Sequence, residues 1–199
     1  MNAKPKSVAG FTILELMIAL AVAGVLAAIA VPNMRDFMRN GRLTGGANDL
    51  LRAMQVARSE AIKRQAVVAT CASNNPTATS PTCSNGAFTG WFVFQDTNGN
   101  WAWDAGELVI EAKTVATGVL VRNNNNGVVS YAGTGLANST PGQTATTRIV
   151  LCDQRGNATA ENNNSAARAV VIEPSGRVRV SRDKTVVTAA LSTIGGTCP

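Results

Sequence analysis

The chain has 199 residues, with 18 Lys and Arg against 12 Asp and Glu and a formal net charge of +6. It contains no histidine, which removes the usual general base and the commonest metal ligand together. The length allows one domain plus an anchor, and with no GxSxG and no phosphate-binding glycine loop the sequence argues against an enzyme and calls for no cofactor.

Residues 1–10, MNAKPKSVAG, form a polar leader that carries Lys4 and Lys6 and ends in Gly10. Residues 11–31 are then all apolar or small except Thr12 and Glu15. As a helix rising about 1.5 Å per residue this stretch is roughly 30 Å long, enough to cross the hydrocarbon of a bilayer. A carboxylate inside such a span costs on the order of 2.5–3.5 kcal/mol, so Glu15 calls for a partner. A secretory signal peptide would have a basic start and a small-residue cleavage site, which Ala28-x-Ala30 imitates, but the apolar run is too long and Glu15 interrupts it.

Gly10-Phe11-Thr12-Ile13-Leu14-Glu15 instead resembles the processing site of type IV pilins and pseudopilins. The resemblance implies that a prepilin peptidase cuts after Gly10 and methylates Phe11. It also implies that Glu15 pairs with the N-terminal amine of a neighbouring subunit, and that the N-terminal helix joins the chain to other major and minor pilins in a filament.

Beyond the span, Pro32 is read as a kink in a continuing helix. Leu43, Ala47, Leu50, Met54, Ala57 and Ala61 follow i, i+4, i+7 spacing and predict an amphipathic half over 32–65, packed on the rest of the chain. The whole helix, residues 11–65, would be roughly 80 Å long. Gly41, Gly45 and Gly46 weaken it by up to about 1 kcal/mol each and favour a local bend.

From residue 66 the period changes to that of strands, predicted at 66–71, 90–95, 107–112, 119–121, 128–131, 147–152, 167–173 and 177–181. Polar loops separate them (SNNPTATSPT, NNNNG, ANSTPGQT and GNATAENNNS), whose composition predicts mobility. The expected fold is α+β and pilin-like: a long N-terminal helix packed on an antiparallel β domain spanning 66–199. Four cysteines without a CxxC pair read as two disulfides in an exported chain. Three pairings are possible. Cys71–Cys83, closing a short loop, and Cys152–Cys198, tying the C-terminus to a strand, are preferred. Arg35, Arg39 and Arg42 beyond the span rival Lys4 and Lys6 before it, so charge does not orient it. The cysteines place the C-terminal domain in the periplasm, behind a single pass of the bacterial inner membrane.

RSEAIKR closing the helix, then GWFVFQDTNGNWAWDAGE, LCDQRG and PSGRVR in that order, resemble the minor pilins and pseudopilins of the GspH/FimT family. The GspH-type members of that family serve type II secretion. Some FimT-type members bind DNA in natural transformation through a Gly-Arg-x-Arg motif, which Gly176, Arg177 and Arg179 match. The residues support that expectation on their own terms. Without Lys4 and Lys6 the charge is +4, from 16 basic against 12 acidic residues. In a strand, Arg177 and Arg179 share a face about 6.6 Å apart, while Val178 and Val180 face the core. Paired guanidiniums suit phosphate oxygens, and Arg182 and Lys184 extend the basic run. Backbone contacts of this kind carry no base information. The alternative is a structural, GspH-like pseudopilin, or a pilus-assembly minor pilin, in which these arginines are an ordinary solvated strand face.

Asp96, Asn98, Asn100 and Glu107 fall at positions 1, 3, 5 and 12 of a calcium-loop spacing. Position 6 is Trp101 where such a loop needs glycine, and no flanking helices are predicted. We read this stretch as a hairpin turn with Trp101 and Trp103 packing beside it, and calcium as the lesser reading.

Overall fold

The computed structural model describes residues 10–84, 87–123, 127–138 and 147–198. Leader residues 1–9 and parts of the NNNNG and ANSTPGQT loops lie outside them. The chain divides into two compact units, Met1–Arg39 and Asn40–Pro199.

One helix, α1 (Ile13–Arg64), supplies all the regular structure described in the first unit and continues into the second. Thr12 starts it: the Thr12 hydroxyl accepts from the Glu15 amide at 3.1 Å, satisfying one of the orphan N–H groups of the first turn. An 18-residue window of this helix has a mean hydropathy of 2.5, long and apolar enough to cross a membrane by length and composition. The helix is continuous through residues 32 and 41–46.

In the second unit the predicted stripe is the buried face of α1. Leu43, Ala47, Leu50, Met54, Ala57 and Ala61 are all buried, joined by Ala53. Among the glycines, a Cβ at Gly46 would lie 3.2 Å from Leu151 Cδ2, so this glycine lets a strand approach the helix closely.

Among the described residues eleven strands follow: β1 (Val67–Ser73), β2 (Ala87–Phe88), β3 (Gly90–Asp96), β4 (Val109–Thr114), β5 (Leu120–Asn123), β6 (Val128–Tyr131), β7 (Ala137–Asn138), β8 (Thr147–Cys152), β9 (Thr159–Ala160), β10 (Asn164–Ile172) and β11 (Val178–Asp183). They form two antiparallel sheets, ordered β4-β3-β1-β6-β7 and β11-β10-β8-β5-β2, with β9 beside β10. The main core gathers the α1 stripe with Val68, Trp91, Val93 and Tyr131 of the first sheet and Val121, Ile149, Leu151, Val170 and Ile172 of the second.

Both sheets are covered on their other face as well, which is why β3 and β10 are buried nearly throughout rather than alternating. On the first sheet, Phe92, Phe94, Ala69 and Cys71 pack with Trp101, Trp103 and Cys83. On the second, a helix that the sequence pattern does not predict, α2 (Lys184–Ile194), lays Val187, Ala190 and Leu191 over Val150, Cys152, Ala167 and Ala169. Its termination signals are ordinary. Asp183 caps the N-terminus by accepting from the Thr185 and Val186 amides, and Gly195 closes the other end in the left-handed conformation. Bonds from the Thr185 hydroxyl and from these two amides hold the Asp183 carboxyl below its usual range. The cap is therefore fully present above the ordinary carboxylate pKa and is lost as pH falls through the lowered one.

Cys71 is bonded to Cys83, and Cys152 to Cys198. The first holds the 74–82 loop, which is further pinned where the Asn75 side-chain oxygen accepts from the Thr82 amide and hydroxyl. The second fastens the chain beyond α2 to β8. GNATAENNNS, expected as a loop, contributes β9, a 3-10 turn (Glu161–Asn163) and the start of β10. Thiol titration of the denatured, unreduced protein should find no free thiol, and two or more would contradict these pairings. On chain-entropy grounds the 12-residue separation alone is worth about 3 kcal/mol, so reductant should lower the melting temperature.

Candidate nucleic-acid interface

The Gly-Arg-x-Arg segment lies at the hairpin between β10 and β11, and β11 is the edge of its sheet. Glu173 and Arg177 close the turn, with the Glu173 amide bonded to the Arg177 carbonyl at 2.9 Å and the Gly176 amide to the Glu173 carbonyl at 2.8 Å. Gly176 sits at φ +79, and a Cβ there would lie 2.2 Å from the Gly135 carbonyl oxygen. Both the conformation and the space exclude a side chain.

The turn is held from below by Arg58, the first residue of the RSEAIKR segment, to which the sequence reading gave no role of its own. From α1 it donates Nε–H to the Gly135 carbonyl at 2.9 Å and Nη2–H to the Ser175 carbonyl at 3.2 Å. One guanidinium thus locks the β6–β7 turn and the arginine hairpin to the helix. The expected effect of Arg58→Leu is a loss of about 1–3 kcal/mol, since carbonyls lose a charged donor. Hydrogen exchange at the Gly176 amide should quicken. Unchanged exchange there would dismiss the lock.

Arg177, the turn residue just before β11, and Arg179 within it are both exposed, and Val178 and Val180 pack against the main core. Arg179 Nε lies 3.6 Å from Glu173 Oε1 with both side chains largely solvated. An exposed pair of this kind is worth about 0–1 kcal/mol and exchanges readily for another anion.

The expected extension by Arg182 and Lys184 does not form one surface. Arg182 falls on the opposite face of β11, because a strand reverses side at every residue. There it adds to the electrostatic load on Arg168, whose pKa is lowered chiefly by burial and then by Arg182 and Arg155, with Asp153 opposing. Lys184 belongs to α2, and its ammonium donates to the Asn157 carbonyl. The face that carries Arg179 is instead continued across the sheet. Val171 of β10 stands opposite Arg179 on one side and opposite Arg148 of β8 on the other.

The Asp96–Glu107 loop is bonded within itself. Asp96 accepts from the Gly99 and Trp101 amides at 2.7 and 2.9 Å. Glu107 accepts from the Thr97 amide and hydroxyl and from the Asp104 amide. Asn98 and Asn100 both donate to Asp104, and Trp103 donates its ring N–H to the Glu107 carbonyl. These bonds build the turn between the paired strands β3 and β4, and among the described residues no group of three acidic, Cys or His side chains is placed to hold a metal.

Comparison with known proteins agrees with this architecture. The model of the family described as type II transport protein GspH matches residues 46–176. The prokaryotic N-terminal methylation motif matches residues 5–31. A fimbrial protein of Pseudomonas aeruginosa is 33% identical over 63 residues, which is 32% of this chain, and the chain spans only 41% of that relative's length. Among solved structures, the type IV minor pilin FimU of Pseudomonas aeruginosa superposes with a TM-score of 0.50 at 14% identity, covering 75% of this chain and 94% of that one. That likeness concerns the fold. The GspH match ends at Gly176, so Arg177, Arg179 and α2 lie beyond it. With an N-terminal methylation motif and a match to the GspH model over residues 46–176, most of its length, the chain belongs to the GspH family.

Proposed function

We propose that this chain is a minor type IV pilin that binds DNA without sequence preference through the Gly176-Arg177-x-Arg179 strand during DNA uptake. In this reading the prepilin peptidase cuts after Gly10, Phe11 is methylated, and residues 11–31 anchor the chain in the inner membrane with the β domain in the periplasm. The same helix then packs among other pilins, with Glu15 paired to a neighbour's N-terminal amine. The methylation motif over residues 5–31 supports the processing and anchoring.

The observation that carries the DNA reading is the exposure of Arg177, at the end of a turn locked by Gly176 and Arg58, and of Arg179, on the edge strand that the turn opens. The locked turn and the edge strand fix the backbone at both arginines in advance, and Glu173 is too weak a partner to withhold Arg179 from a phosphate. The test is titration of the full chain in nonionic detergent with duplexes of unrelated sequence across a salt series. Equal, micromolar binding is expected, with log K falling against log salt at a slope of about −2 to −4. Absence of binding at low salt would leave the structural pseudopilin, the role that agrees with the type II transport description of the GspH family.

A further inference from the structure

Beside the Arg177/Arg179 strand runs an open groove of about 310 Å³, lined by Arg148, Val171, Arg179, Thr185, Val186 and Ala189. Its floor is the three-strand row in which Val171 separates Arg148 from Arg179. Its far wall is the first half of α2. We infer that this groove is part of the phosphate-binding surface, with Arg148 as a third phosphate-binding arginine beside Arg177 and Arg179; the inference rests on the DNA-binding reading proposed above.

The geometry is that of a short phosphate track. Two strand spacings of about 4.8 Å put the Arg148 and Arg179 backbones roughly 10 Å apart. With one phosphate per about 3.4 Å of axial rise on each strand of a duplex, two guanidiniums at that separation can reach neighbouring phosphates. Arg148 is positioned in advance: Nη1 donates to the Ala189 carbonyl at 3.0 Å and to the Thr193 hydroxyl at 3.1 Å, so the guanidinium is held at the groove by α2. Apolar Val171, Val186 and Ala189 complete the walls, and a charge pair in a partly enclosed groove is screened less than one on open surface. On the α2 side, the Asp183 carboxylate is spent on the helix cap and on the Thr185 hydroxyl. Glu173 also opposes the basic row, and its contact is with Arg179.

The experiment compares salt slopes for duplex DNA between the full parent chain in nonionic detergent and four variants. Arg148→Gln should weaken binding severalfold and make the slope shallower by about one, while Arg148→Lys should keep the parent slope. Since Arg148 also braces α2, Ala189→Glu provides an arm that leaves that brace in place. Ala189 is exposed on α2, and a carboxylate there should weaken DNA binding severalfold, whereas Ala189→Gln should not. An unchanged slope in Arg148→Gln, or equal binding by Ala189→Glu and Ala189→Gln, would overturn the groove while leaving the Arg177/Arg179 reading intact. A parent chain that does not bind at low salt overturns both.

Discussion

Replacing Arg177 and Arg179 together by Gln should weaken binding to duplex DNA by tenfold or more at fixed low salt, a loss of about 1.4 kcal/mol or greater. Gln keeps the length and the hydrogen-bonding capacity and removes both charges. The side chains are exposed, and the hydrophobic anchoring of β11 comes from Val178 and Val180. The melting temperature should therefore stay close to that of the parent. The salt slope should become shallower by about two, one unit for each lost phosphate contact. In cells, transformation should fall while pilus assembly persists. A double variant that binds as tightly as the parent at the same salt would end the arginine-strand hypothesis. Arg182→Gln is the natural control: on the other face of the strand, its loss should change binding little.

Replacing Glu15 by Leu should leave cleavage after Gly10 largely intact and sharply reduce incorporation into pili. The cost of an isolated carboxylate in hydrocarbon, on the order of 2.5–3.5 kcal/mol, is borne only where a partner cation repays it. The helix start supplies a competing local role. Thr12 caps the Glu15 amide, and Thr-x-x-Glu is the spacing at which a glutamate can reach back to the cap residue's own N–H. Glu15→Gln separates the two roles, because Gln serves a capping box and carries no charge. If pairing with an amine is what matters, Gln should fail nearly as badly as Leu. Incorporation of Glu15→Gln at the parent level would reduce Glu15 to a helix cap, and normal incorporation of Glu15→Leu would remove any role in assembly.

What could be read from the sequence was local. The buried stripe Leu43–Ala61 follows from a 3.6-residue period, and the strand positions follow from β-branched runs between turn residues. The exposure of Arg179 between the core-facing Val178 and Val180 follows from the pleat, which needs no knowledge of neighbours. The N-terminal anomaly, a carboxylate set in an apolar helix behind Gly-Phe, is likewise a property of adjacent residues. Even α2 is locally marked, by Asp183 before it and Gly195 after it, although the sequence reading predicts no element over 184–194.

The tertiary structure decided which residues become neighbours. The pairing of β10 with both β11 and β8 brings Arg148 into one row with Arg179 and places the buried Arg168 within reach of Arg182. Packing of α1 against two sheets places Arg58 under the arginine hairpin and leaves Gly176 no room for a side chain. The Asp96–Glu107 stretch, read from the sequence as a hairpin turn, is held by bonds among its own residues. Spacing along a chain states which ligands are available, and only the fold determines whether backbone amides claim them first.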